Sequence, residues 1–170
     1  MKNRVLTLAI AVVVIAGSAI TWHVLRHPRP ALQGNELPAG IKSQLALKAY
    51  VPSGDYYIVP GSAKYDTKQS LLSINVGHTG RPIIMVTEQP YPDTLIYDKL
   101  IGAMNAQRQV GNSLGQATVT HPKSAPGKEV VVVQADTMLM FASSDTKLND
   151  SEWRSILNSM QAVTAATKDS

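Results

Sequence analysis

Hydrophobic and polar positions divide this chain into one unbroken apolar run and a longer series of short alternating segments. Val5 to Leu25 (VLTLAIAVVVIAGSAITWHVL) carries no charge at all between its ends. About 20 apolar residues, rising ~1.5 Å each, span the ~30 Å hydrocarbon core of a bilayer. Trp22 falls where the run is ending, and an indole suits the interface. The pattern predicts one transmembrane helix over residues 5–25, preceded by a short segment, 1–4. Arg26 to Gly40 has no apolar period, and its Pro28, Pro30 and Pro38 favour extended backbone, so 26–40 reads as a Pro/Gly-rich stalk.

Beyond the stalk the periods alternate. Ile41 to Ala49 fits one or two helical turns with Ile41, Leu45 and Leu47 inward. Tyr56–Val59, Leu71–Val76 and Pro82–Glu88 read as strands, the last two joined as a hairpin around Gly77-His78-Thr79-Gly80. Asp93 to Ala106 predicts a helix with Leu95, Ile96, Leu100, Ile101 and Met104 on one face and Arg108 complementing its C-terminus. Strands return at Gln116–His121, Glu129–Gln134 and Thr137–Ala142. The run EVVVVQ has the continuous apolar character of a strand buried on both faces. The loop His121–Lys128 is the most flexible in composition. Asn149 and Glu152 form a capping box, and Trp153, Ile156, Leu157, Met160 and Val163 continue as one helical stripe.

The order β-β-β-α-β-β-β-α implies an α+β domain over 41–164: an antiparallel sheet of about six strands with helices on one side, and a frayed tail at 165–170.

Charge changes the picture of partners. The net +4 comes from Lys2, Arg4, Arg26 and Arg29, because from Pro30 onward twelve cations meet twelve acids. A nucleic-acid surface needs a basic field on the domain itself, so no nucleic-acid partner is expected. The membrane is engaged through 5–25. Positive charge at both ends leans slightly toward a cytoplasmic N-terminus, and all the folded mass follows the helix. The expected localisation is therefore the cell membrane, single-pass, with the domain outside. Secretion after cleavage near Ala19, where Gly17, Ser18 and Ala19 are small, is the alternative. With no cysteine, disulfides, thiolate sites and lipidation on a Cys are excluded.

Candidate chemistry is sparse. His23 and His27 flank the apolar run, and His78 and His121 fall in loops. No HExxH, GxxxxGK[ST] or GxGxxG is present. Ser143-Ser144-Asp145 reads as a turn after a strand, and Asp136 as a hairpin-turn residue. No catalytic residue, cofactor or metal is assigned, and the chain is expected not to be an enzyme. Tyrosines cluster in the first half of the domain. Tyr presents large area with a polar tip, so Tyr50, Tyr56, Tyr57, Tyr65 and Tyr91 form a candidate contact face for a protein or envelope partner.

Leu37-Pro38-Ala39-Gly40, Tyr50-Val51-Pro52, Thr87-Glu88-Gln89 and Leu114-Gly115-Gln116-Ala117 together resemble a loose group of small, uncharacterised bacterial membrane-anchored ectodomains. Related extracytoplasmic modules occur in some lipoproteins and anti-sigma-type proteins. The resemblance spans most of 37–163, implies a non-enzymatic α+β envelope domain, and carries over no active site. Met1 to Arg4 is too short to hold a cytoplasmic factor as anti-sigma proteins do. The resulting expectation is a non-catalytic, anchored binding or structural module of the cell envelope. The alternatives are an accessory subunit engaged through its anchor helix, where Ala16-Gly17-Ser18-Ala19 permits close approach, and an envelope hydrolase.

Overall fold

The computed structural model describes residues 35–45, 48–92 and 94–164. The segment 5–25 read as a membrane span, most of the stalk, Leu47, Asp93 and the tail lie outside these residues. No helix among the described residues is long and apolar enough to cross a membrane.

The chain is mostly antiparallel β-sheet with few helices. In order, its elements are α1 (Ala39–Lys42), β1 (Ala49–Pro52), β2 (Tyr56–Ile58), β3 (Lys64–Asp66), β4 (Leu71–His78), β5 (Ile84–Pro90), α2 (Thr94–Gly102), β6 (Met104–Gly111), β7 (Gln116–Pro122), β8 (Glu129–Ala135), β9 (Met138–Ser144), α3 (Asp150–Ser159) and β10 (Met160–Val163). One eight-stranded sheet runs β2-β4-β5-β9-β8-β7-β6, with β3 also on β4, and β1 pairs with β10 as a separate ribbon. All six expected strands are present. Four more accompany them: β1, β3, β6 and β10.

Two of these correct the sequence reading. The helix expected over Asp93–Ala106 stops at Gly102, and Met104–Gly111 is the edge strand β6. Arg108 therefore lies on that strand, and the C-terminal carbonyl of Gly102 is met instead by the Lys123 ammonium at 2.6 Å. Lys123 belongs to the loop His121–Lys128, which is tied down further by His121 Nδ1 against the Lys128 carbonyl at 3.0 Å. The last helix ends at Ser159, and Met160 turns into β10 rather than extending the stripe. Its terminal carbonyls are met by serine hydroxyls: Ser159 Oγ donates to Ile156 and Ser53 Oγ, from the β1–β2 connection, to Ser159.

The helices also sit on both sides of the sheet, not one. Successive strand residues point to opposite faces. Val131 and Val133 of β8 share a core with Trp153, Ile156 and Leu157 of α3, whereas Val130 and Val132 share another with Leu100 of α2. EVVVVQ is thus buried on both faces, as its composition predicts. Leu37, within the segment read as stalk, already belongs to the larger core.

A β-bulge between Ala106 and Arg108 joins the two faces. Met104 packs in the α2 core, and without an extra residue Arg108 would point the same way. The bulge re-aims it toward α3. There its guanidinium donates to Glu129 Oε1 (3.0 Å), Asp150 Oδ1 (2.6 Å) and the Leu148 carbonyl (3.2 Å). Trp153 Nε1 donates to the other Glu129 oxygen at 2.8 Å. The expected capping box completes the helix start, with Glu152 N on Asn149 Oδ1 at 3.0 Å and Asn149 N on Glu152 Oε2 at 2.8 Å.

Gly115 closes the β6–β7 hairpin at φ +146, and a Cβ there would clash with the Gln134 carbonyl oxygen. Gly127 has open space around its Cα. Gly115→Ala is expected to cost at least about 2 kcal/mol, through an unfavourable φ and a backbone clash, while Gly127→Ala stays within about 0.5 kcal/mol. Urea unfolding of the two variants measures the difference.

Candidate functional site

The structure distributes the five candidate tyrosines rather than gathering them on one face. Tyr50 is only 7% exposed and Tyr56 6%, both within the α3-side core. Tyr65 is half-buried against that same core. Tyr91 packs on the opposite side, its ring 5.0 Å from that of Tyr97. Tyr56 and Tyr57 are neighbours on β2, and they are the two that meet at a concave feature.

That feature is an open, largely polar groove of about 430 Å³ at the β2–β4 edge, lined by Asn35, Asp55, Tyr56, Tyr57, His78 and Thr79 together with Gly54. Short-range geometry explains each wall. Gly54, at φ +65, lets the chain turn from β1 into β2. Across the strand pair, Tyr56 faces His78 and Tyr57 faces Gly77. Gly77 was expected in the hairpin turn, yet it lies within β4, and Gly80 (φ +73) supplies the turn's positive φ. The Tyr57 ring occupies the space a side chain at 77 would take, because a Cβ there would meet Tyr57 Cζ at 2.6 Å. Aromatic cover over a strand glycine restores packing that the glycine lacks.

Hydrogen bonds hold the other wall. Tyr56 donates its hydroxyl to Ser155 Oγ (2.9 Å) and accepts from the Arg81 guanidinium (3.1 Å). The His78 ring stands 4.7 Å from the Tyr56 ring at 53°. His78 Nδ1 lies 2.8 Å from the Thr79 carbonyl, which only accepts, so Nδ1 carries a proton and Nε2 is the acceptor of the neutral ring. A second cavity behind Tyr56 and His78, bordered by Arg81, Glu152 and Ile156, holds about 10 Å³, space for one water at most. The groove thus combines an aromatic ring, an imidazole, a carboxylate, an amide and a hydroxyl, a set suited to stacking and hydrogen-bonded recognition.

The remaining sequence candidates are dispersed. Ser143 and Ser144 are buried in β9, with Ser144 Oγ against Thr146. Asp136 makes an ion pair with Lys48. His23 and His27 lie outside the described residues. Among the described residues no three His, Cys, Asp or Glu side chains are placed to hold a metal ion.

Two buried acids were not assigned as sites from the sequence. Glu129 is held below its ordinary carboxylate pKa. Burial would raise it, but the hydrogen bonds from Trp153, Arg108 and the Leu148 N–H prevail. Glu88 is fully buried on β5. Its signal was present in the strand's period of two, since Ile84, Val86 and Glu88 share one face.

Compared with protein-family models, curated proteins and solved structures, the chain matches none.

The seat of Tyr57 can be checked by a double-mutant cycle. Gly77→Ala is expected to cost about 1–2 kcal/mol by displacing the ring. In a Tyr57→Ser background the same change should cost roughly half as much or less. Equal costs in the two backgrounds would show that the ring does not occupy the space over Gly77.

Proposed function

We propose that this chain is a single-pass, membrane-anchored, extracytoplasmic module of the cell envelope that binds a partner without catalysis. Residues 5–25 serve as the anchor, the N-terminus stays in the cytoplasm, and the α+β domain is displayed outside. The observation that carries the binding half is the Tyr57–His78 groove, a concave surface in which the Tyr57 ring is seated over Gly77. Pre-organised aromatic area with polar neighbours favours recognition at low entropic cost. Tyr56, drawn into the core by Arg81 and Ser155, supports the groove wall, and Tyr57 supplies contact area. Tyr50, Tyr65 and Tyr91 lie outside the groove lining, so the proposed contact surface is narrower than the five tyrosines.

Protease treatment of intact cells, followed by intact-mass analysis of the membrane fraction, tests the display. The expected result is loss of the domain with a fragment near Met1–Leu25 left embedded. A protected full-length chain overturns the topology, and a mature mass beginning near Ile20 replaces the anchor with secretion. The paired variant Tyr57→Ser/His78→Ala is expected to reproduce the phenotype of deleting the gene at unchanged protein level. Replacing 5–25 with an unrelated apolar helix should leave function intact. The reverse pair of results favours the accessory-subunit reading, in which Ala16-Gly17-Ser18-Ala19 packs on another membrane helix.

A further inference from the structure

The ribbon of β1 and β10 pairs with no strand of the main sheet. In an antiparallel pair alternate N–H groups point away from the partner, and the Tyr50 N–H of β1 is one of these. It meets Glu88 Oε2 of β5 at 2.7 Å, so a side chain stands where a neighbouring strand's carbonyl would otherwise be. Glu88 has 0% exposure, and its second oxygen, Oε1, is buried with no partner among the described residues. Its cross-strand neighbours are Leu72 on β4 and Met140 on β9, both apolar and buried. On the ribbon side the titratable group that interacts with it is the Tyr50 hydroxyl, which in turn senses Lys48 and, from the β8–β9 turn, Asp136, the partner of Lys48. Lys48 is thus committed to another acid, and the one group bonded to Glu88 is a single backbone N–H.

A carboxylate so placed is poorly solvated, whereas a neutral carboxyl leaves one O–H unpaired, a smaller penalty than a buried, unpaired charge. We infer that Glu88 is a proton-dependent latch: its neutral form holds the β1–β10 ribbon on the sheet, and its ionisation lets the ribbon open. Burial raises the Glu88 pKa from 4.5 to about 8, against a smaller opposing pull from the Tyr50 N–H. The closed form therefore binds a proton that the open form releases. Opening is least favourable below about pH 4.5, becomes roughly tenfold more favourable per pH unit up to about 8, and levels off above. Because β1 and β10 are the first and last strands of the domain, opening frees both of its ends together.

Hydrogen exchange of the full-length chain in detergent micelles, corrected for intrinsic exchange rates, tests this between about pH 5 and about pH 9. Protection of 49–52 and 160–163 is expected to fall on the order of a hundredfold or more in the wild type by pH 8, while 153–157 of α3 lose less. Glu88→Gln keeps an acceptor for Tyr50 and has no proton to lose, so its ribbon protection should be flat with pH. Glu88→Leu, which removes the acceptor, should be weakly protected at every pH. A flat wild-type profile, a Gln variant that keeps the slope, or an equal loss across α3 and the ribbon would each overturn the latch.

Discussion

The structure depends most on how one buried carboxylate is satisfied. Glu129 opens the interior strand β8 almost out of contact with water, where an unpaired charge would cost several kcal/mol. Three donors reach it, from the Arg108 guanidinium, the Trp153 indole and the Leu148 backbone. They come from the edge strand β6, from helix α3 and from the segment leading into that helix. One acid thereby fixes the angle at which α3 lies on the sheet. That in turn places Ser155 against Tyr56 and closes the wall of the groove. The β-bulge before Arg108 is part of the same device, because it turns the guanidinium onto the α3 face.

The six strands expected from sequence were legible because short apolar or alternating runs were bounded there by turn residues. β6 was hidden for a specific reason. Met104 falls in register with the preceding helical stripe, and Arg108 sits where a helix would welcome a cation, so the helical period ran on past Gly102. β10 was hidden in the same way, since Met160 and Val163 continue the spacing of Trp153 and Ile156. Tertiary pairing with β1 decided the matter, and no local pattern records it. Helices on both faces follow from EVVVVQ: a strand buried on both faces needs cover on both, and the expectation of one-sided helices conflicted with that reading.

The tyrosines show what composition alone misses. Residue type pointed toward recognition surface, yet burial separates Tyr50, which lends its backbone to Glu88, from Tyr57, which lies over Gly77. The glycine was the stronger signal, because it leaves the space across the strands in which the Tyr57 ring lies. Both buried acids also sit on the α3 face and were readable by strand parity. Their partners, a bulged arginine, an indole and an outward backbone N–H, were not.

Glu129 and Glu88 answer pH in opposite directions, which gives the central claim a direct measurement. Glu129 has a lowered pKa, so its contribution to stability is present above its ordinary value and is lost as pH falls through the folded one. Urea unfolding of the wild type and of Glu129→Gln, followed from about pH 7 down to about pH 3, isolates that contribution. The wild type should be the more stable at neutral pH, and its advantage should shrink steadily below about pH 4.5. A gap between the two proteins that stays constant across the range, or no gap at all, would contradict the view that the Glu129 carboxylate holds α3 to the sheet.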